Sequence, residues 1–100
     1  MTHTAKHVIV TAATLLALTG AALAADIPAG AAACSGCHPA KPGVDTPVPR
    51  LVGRPAAQIV AAMDDFRAGK RAATIMDRVA KGFTEDEIKA IAAWFAAQKD

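Results

Sequence analysis

The spacing of apolar residues in the middle of the chain is that of an amphipathic helix. Ile59, Met63 and Phe66 follow one another at steps of four and three residues, which places them on one face of a helix. Pro55 stands where a proline is tolerated at a helix start, and Gly69 stands where a helix can stop. The pattern therefore predicts a helix that opens at Pro55 and ends near Gly69.

A second amphipathic pattern lies near the carboxyl end. Thr84 is followed three residues later by Glu87, which is the capping-box arrangement of a helix start. The apolar stripe that follows consists of Ile88, Ile91 and Phe95. These features predict a well-defined final helix that buries this stripe.

The remaining segments predict shorter elements. Residues 27–37 are rich in alanine and predict a short helix. Residues 39–55 contain most of the prolines and predict an irregular loop. Residues 70–76 read as a connector, and residues 77–81 as a short helical turn before Gly82. With no strand pattern, the fold class predicted is all-α, with three or four helices.

The amino-terminal segment has the pattern of a secretory signal peptide. Lys6 precedes a nearly uncharged apolar run over residues 8–23, and residues 22–24 form a small-x-small cleavage pattern. We expect residues 1–24 to be removed and residues 25–100 to form a single exported domain in the periplasm. The alternative is an uncleaved membrane anchor, for which the run is short.

Size and charge limit the function. The region left after cleavage is small for a self-sufficient hydrophobic core, so an added group would help it fold. The full chain has a formal net charge of +2. It shows neither a long basic run nor interleaved aromatic residues, so nothing indicates nucleic-acid binding. No other run is long enough to cross a membrane.

The most specific motif is Cys-x-x-Cys-His at residues 34–38, which predicts covalent attachment of one haem c. Cys34 and Cys37 would form thioether bonds with the two vinyl groups, and His38 would be an axial iron ligand. A structural zinc site, a thioredoxin-like dithiol and a plain disulfide are the alternatives. Zinc normally takes four ligands, whereas the exported region offers only these three Cys and His residues.

The second axial position has several candidates, because His38 is the only histidine left once the signal peptide is removed. They are Met63, Met76, a lysine, or an open position. Met63 lies on an apolar helical stripe, which favours a core role. Met76 lies on a connector outside any stripe, so it is the predicted ligand.

These features together resemble a class I cytochrome c. The resemblance rests on residues 34–38, on the sequence PRLVG at residues 49–53 and on Met76. It implies the small cytochrome c fold around one haem, with the Pro49 carbonyl accepting a hydrogen bond from His38. Pro39 departs from the family pattern, which usually has glycine after the histidine.

The sequence is most similar, within that class, to the haem subunit of flavocytochrome c sulfide dehydrogenase, and less closely to cytochromes c4 and c5. The narrower resemblance rests on TIMDRVAKGF at residues 74–83 and on the capped last helix. It implies a non-catalytic periplasmic one-electron carrier. Such a carrier would accept electrons from a flavoprotein and pass them to another cytochrome or an oxidase.

Two alternative functions stay open on the sequence. One is a free, diffusible carrier of the c4 or c5 type that serves an oxidase or another dehydrogenase. The other is an open-site haem enzyme or gas sensor, which requires that Met76 is not a ligand. A basic group around Met76 is either a docking surface or an ordinary solvated face; it consists of Lys70, Arg71, Arg78 and Lys81. Trp94 reads as a packing residue rather than an electron relay.

Overall fold

The computed structural model describes residues 26–100, so the predicted signal peptide and its cleavage point before Ala25 lie outside the described residues. Within them the chain forms four helices and no strand: α1 (Ala31–Cys34), α2 (Ala56–Arg67), α3 (Met76–Lys81) and α4 (Glu85–Ala97). The all-α fold class is confirmed. Helix α2 packs against both α3 and α4, while α1 packs against α4.

The core forms where α2 and α4 meet. Ile59 and Met63 of α2 are buried, and so is the predicted α4 stripe, consisting of Ile88, Ile91 and Phe95. Full burial of each such side chain stabilises the fold by about 1.5–3 kcal/mol. Ala31, Ala80 and Ala92 are completely buried at the helix contacts, where a small side chain lets neighbouring backbones approach. Phe66, which the pattern places in the α2 stripe, is only half-buried at its edge.

Helix α2 begins one residue later than predicted and ends as predicted. Pro55 is its N-cap, with an extended ψ of 132°, rather than its first helical residue. At the other end Gly69 has a positive φ of 71°. The Gly69 N–H donates to the Phe66 carbonyl (3.3 Å) and the Lys70 N–H donates to the Asp65 carbonyl (2.8 Å). This is the Schellman arrangement that glycine permits at a helix end.

The capping box of α4 is confirmed. The Glu87 N–H donates to Thr84 Oγ1 (3.2 Å), and the Thr84 N–H donates to Glu87 Oε2 (2.8 Å). These reciprocal bonds satisfy two backbone donors at the helix start. Acidic residues fill the first turn of α4, where the helix dipole favours negative charge.

The first helix is shorter than predicted, because only Ala31–Cys34 is helical. Pro28 and Gly30 precede it, and Gly30 has a left-handed φ of 86° that a right-handed helix cannot include. A side chain at Gly30 would also overlap the Phe83 ring. A second difference concerns Met76, which was expected on a connector but is the first residue of α3.

Candidate haem site

Residues 35–38 form a turn that continues directly from Cys34, the last residue of α1. The Cys37 N–H donates to the Cys34 carbonyl (3.2 Å), and the His38 N–H donates to the same carbonyl (2.9 Å). The chain therefore keeps turning after the helix ends. Residues three and four apart on such a turn are neighbours in space. Cys34, Cys37 and His38 thus all lie on one short segment.

The two cysteines lie in different surroundings, and both are free thiols. Cys34 is half-buried against the core, and its thiol donates to the Gly30 carbonyl at 3.5 Å. Burial raises the pKa of the Cys34 thiol, and a backbone hydrogen bond partly offsets the rise. Cys37 is exposed. The two sulfurs are not bonded to each other.

His38 is held by a backbone carbonyl of the proline-rich loop. Its Nδ1 lies 2.5 Å from the carbonyl oxygen of Pro49. Because a carbonyl oxygen only accepts hydrogen bonds, Nδ1 carries a proton in this contact, and in the neutral form of the ring the lone pair is on Nε2. A ring held in this way presents Nε2 as the ligand atom. The contact joins the two residues that the family resemblance pairs, while their roles at an iron stay a prediction.

The two methionines of residues 26–100 differ in burial. Met63 is 9% exposed and lies within the core beside Ile59. Met76 is half-buried, contacts the edge of the core and opens α3. A thioether at the start of a short helix is less enclosed than one in the α2–α4 core. This difference is consistent with Met76 as the predicted second axial ligand, which stays a prediction.

The residues present fit a haem better than they fit a bare metal ion. No group of three or more His, Cys, Asp or Glu side chains capable of holding a metal occurs within residues 26–100. Large apolar side chains are instead left exposed, including Val44 (52%), Ile75 (60%) and Val79 (36%). A covalently attached macrocycle offers a large apolar surface for such side chains. The two thiols, the imidazole and the thioether match its bonding needs.

The basic group around Met76 is exposed, but one member is engaged by its own neighbours. The Arg71 guanidinium lies 5.5 Å from the centre of the Phe66 ring and 3.9 Å from the Asp65 carboxylate. The other members of the group are exposed; they are Lys70, Arg78 and Lys81. Its role in docking a partner stays a prediction.

Trp94 lies on α4 next to a cavity of about 370 Å³. Its ring meets Phe95 edge to face, with centroids 4.9 Å apart. Ser35, at the end of α1, lines the same cavity. This half-buried position against the core fits a packing role for Trp94.

Sequence reasoning missed Arg50, the residue after Pro49. Its Nε–H donates to the carbonyl of Ala40 at 2.7 Å, and its guanidinium forms an ion pair with Asp100. The neighbouring motif draws attention to Pro49, but the partners of Arg50 lie 10 and 50 residues away along the chain. Only the folded structure brings them together.

Comparison with known proteins gives three relatives of similar identity. The chain is 39% identical over 62 residues to the cytochrome subunit of sulfide dehydrogenase of Chlorobaculum tepidum, covering 62% of this chain and 56% of that protein. It is 37% identical over 89 residues to cytochrome c4 of Pseudomonas aeruginosa, covering 84% and 44%. It is 38% identical over 81 residues to the thiosulfate dehydrogenase electron acceptor of Thiomonas intermedia, covering 77% and 37%.

These matches cover only part of each relative. The chain spans about half the length of the first relative and less than half of the other two. No protein-family model matches the chain. Among the helices of residues 26–100, none has the length and apolar character needed to cross a membrane.

Proposed function

This chain belongs to the class I c-type cytochromes, and we propose that it is a periplasmic one-electron carrier with a single haem c. When bound, the haem supplies an iron that changes its oxidation state by one electron. Cys34 and Cys37 hold the macrocycle through two thioether bonds. His38 and Met76 would supply the two protein ligands of the iron. With both ligands in place, the protein would carry electrons rather than transform a substrate at the iron.

The observation that carries this proposal is the 2.5 Å contact between His38 Nδ1 and the Pro49 carbonyl. It fixes the imidazole in the tautomer that binds a metal through Nε2. The same short segment carries both cysteines. A histidine held in this way directly after a Cys-x-x-Cys pair can bind the iron of a haem. Thiol–disulfide chemistry at the two cysteines does not require such a histidine.

The proposed electron donor is a flavoprotein that oxidises sulfide. The similarity to a cytochrome subunit of sulfide dehydrogenase supports this partner. In this role the chain accepts electrons from the flavoprotein and passes them to another cytochrome or an oxidase. The test is purification from the native host without overexpression. Elution in a fixed ratio with a flavoprotein is expected.

The second candidate is a free carrier, supported by the longer match to cytochrome c4, which covers 84% of this chain. The similarity to a thiosulfate dehydrogenase electron acceptor extends the possible donors to that enzyme class. A cytochrome that elutes alone, and is reduced by a sulfur-oxidising dehydrogenase only in transient encounters, would favour this candidate over a bound subunit.

The axial ligand is tested by a matched pair of variants, Met76→Leu and Met63→Leu. Leucine has nearly the volume of methionine, so each change costs less than about 1.5 kcal/mol in packing, but it removes the sulfur. The measurement is the far-red sulfur-to-iron absorption band of the ferric protein. We expect the band to be lost in Met76→Leu and kept in Met63→Leu. The reverse pattern would assign Met63, and no band in the unmodified protein would exclude both methionines and leave a lysine or an open position.

A further inference from the structure

We propose that Arg50 is the residue that positions the axial histidine, by fixing the direction of the Pro49 carbonyl. This inference rests on the proposed function, since it assigns a role at the same haem site. The link is covalent and short. The Pro49 carbonyl and the Arg50 N–H belong to one planar peptide unit. Whatever holds Arg50 in place therefore restricts the rotation of the carbonyl that contacts His38.

Arg50 is held by two partners that lie on different parts of the chain. Its Nε–H donates to the Ala40 carbonyl at 2.7 Å. Its terminal nitrogens face the Asp100 carboxylate, one of them at 3.4 Å from Oδ2. The Arg50 side chain is 25% exposed, whereas that of Asp100 is 60% exposed. The Arg50 side chain is thus more enclosed than its carboxylate partner.

The bond between Arg50 and Ala40 lies next to the contact between His38 and Pro49 along the chain. Ala40 lies two residues after His38, and Arg50 lies one residue after Pro49. Two hydrogen bonds therefore join the two ends of the loop, residues 38–40 and residues 49–50. In one, Nδ1 of His38 donates to the Pro49 carbonyl, and in the other, Nε of Arg50 donates to the Ala40 carbonyl. The donor lies at the start of the loop in the first hydrogen bond and at its end in the second. Loss of one leaves a single hydrogen bond to hold the carbonyl in line.

The far end of the same segment has its own anchor. The Gly53 N–H donates to the Phe95 carbonyl of α4 at 3.0 Å, and Gly53 turns the chain with a φ of 73°. The segment from Pro49 to Gly53 is thus bonded to α4 at its end and to residues 38–40 at its start. Within this segment, Arg50 is the side chain that bonds to residues 38–40, through the Ala40 carbonyl.

Arginine suits this place for a geometric reason. Its planar fork presents Nε–H to one acceptor and its terminal N–H groups to another, which a lysine ammonium cannot do in the same geometry. The bond to a carbonyl is assisted by charge and is stronger than a neutral one. An exposed ion pair such as that with Asp100 contributes little to stability. The contact with Ala40 therefore accounts for most of the effect of Arg50.

The consequence for the haem follows from the Nδ1–H bond. A well-aligned bond to a carbonyl makes the imidazole a stronger donor to the metal. Stronger donation favours the ferric over the ferrous state and lowers the reduction potential. A looser Pro49 carbonyl weakens this bond and raises the reduction potential of the haem, whereas loss of the positive charge of Arg50 by itself would lower it, so a rise identifies the effect of the bond.

The test uses the haem-loaded protein and the variant Arg50→Leu. The matched control is Arg54→Leu, because Arg54 is exposed on the same loop and its side chain forms no hydrogen bond or ion pair within the described residues. The first readout is solvent exchange of the His38 Nδ1–H in the ferrous protein, relative to exchange of the buried Ile91 amide. The second is the reduction potential. Normalising to Ile91 removes any contribution from general loss of stability.

We expect Arg50→Leu to speed exchange at His38 by about tenfold relative to Ile91, the equivalent of one charge-assisted hydrogen bond, and to raise the reduction potential. Arg54→Leu and Asp100→Asn should leave the exchange ratio nearly unchanged. If Arg50→Leu does not load haem, Arg50→Lys is measured instead, with a smaller change in the same direction. An unchanged ratio in both Arg50 variants would overturn the positioning role, while a wild-type chain that lacks haem would overturn the proposed function itself.

Discussion

The contact between Gly30 and Phe83 joins the segment before the cysteines to the segment before α4, and it can be tested with two alanine variants. A Cβ at Gly30 would overlap Phe83 Cε1, would lie 2.9 Å from Cζ and would touch Ile91 Cδ1 at 3.6 Å. Gly30 also has a φ of 86°. Gly30→Ala therefore combines backbone strain of about 1–2 kcal/mol with overpacking of about 1–3 kcal/mol.

Gly43 provides the matched control for this prediction. Its φ of 75° is nearly the same, but nothing lies within 4 Å of the position of its Cβ. Gly43→Ala should cost only the backbone strain of about 1–2 kcal/mol. We expect Gly30→Ala to lose more, so that the total reaches roughly 2–5 kcal/mol. For a domain of this size each kcal/mol lowers the midpoint of thermal unfolding by about 4–8 °C.

The assay is denaturant unfolding of the haem-loaded protein, followed by helical circular dichroism. A third variant, Gly30→Ala combined with Phe83→Leu, should recover part of the loss because the smaller side chain relieves the overlap. Equal losses in Gly30→Ala and Gly43→Ala would refute the reasoning, since backbone conformation alone would then account for both. Failure of the double variant to recover any stability would contradict it as well.

The other stability predictions concern α4 and the core. Thr84→Ala removes the side-chain half of the capping box and should lower the free energy of unfolding by about 1 kcal/mol, whereas Thr84→Ser should lose much less; equal losses in the two variants in denaturant titrations would argue against a cap. Ile88→Ala empties a position that is 2% exposed and should cost about 2–5 kcal/mol. Ile27→Ala, at a position 57% exposed, should stay within about 0.5 kcal/mol, and calorimetry that gave both isoleucine variants the same midpoint would contradict the assignment of the core.

The two long helices were predictable because their signals are local. The stripe of Ile88, Ile91 and Phe95 and the capping box at Thr84 lie within one element, and the structure buries and bonds them as the spacing requires. Gly69 likewise acts as a helix stop through its own conformation. Such features depend on residues a few positions apart, so the sequence alone contains the information.

The short elements were predicted less well because distant contacts decide them. Helix α1 is cut to four residues by the turn at Gly30, where the ring of Phe83 occupies the space of a side chain. Helix α3 starts at Met76, although the preceding small residues gave no helix signal. Their limits depend on which parts of the chain pack together, and spacing along the sequence does not reveal this.

The candidate site divides in the same way. The motif at residues 34–38 predicts the cysteines and the histidine as haem-binding residues, and the family resemblance points to Pro49. The contacts of Arg50 could not be predicted from the sequence. Its partners are the Ala40 carbonyl and the Asp100 carboxylate, which no sequence pattern connects to it. Backbone acceptors are present at every residue, so a side chain that binds one carries no signature in the sequence.

The most direct test of the account is the intact mass of the protein purified from the periplasm of its native host, measured after denaturation and acid extraction. The account predicts the mass of the polypeptide plus one haem that survives extraction, and loss of one of its two thioether links in each of Cys34→Ala and Cys37→Ala. A bare polypeptide with two free thiols, or a chain that releases only zinc, would contradict it.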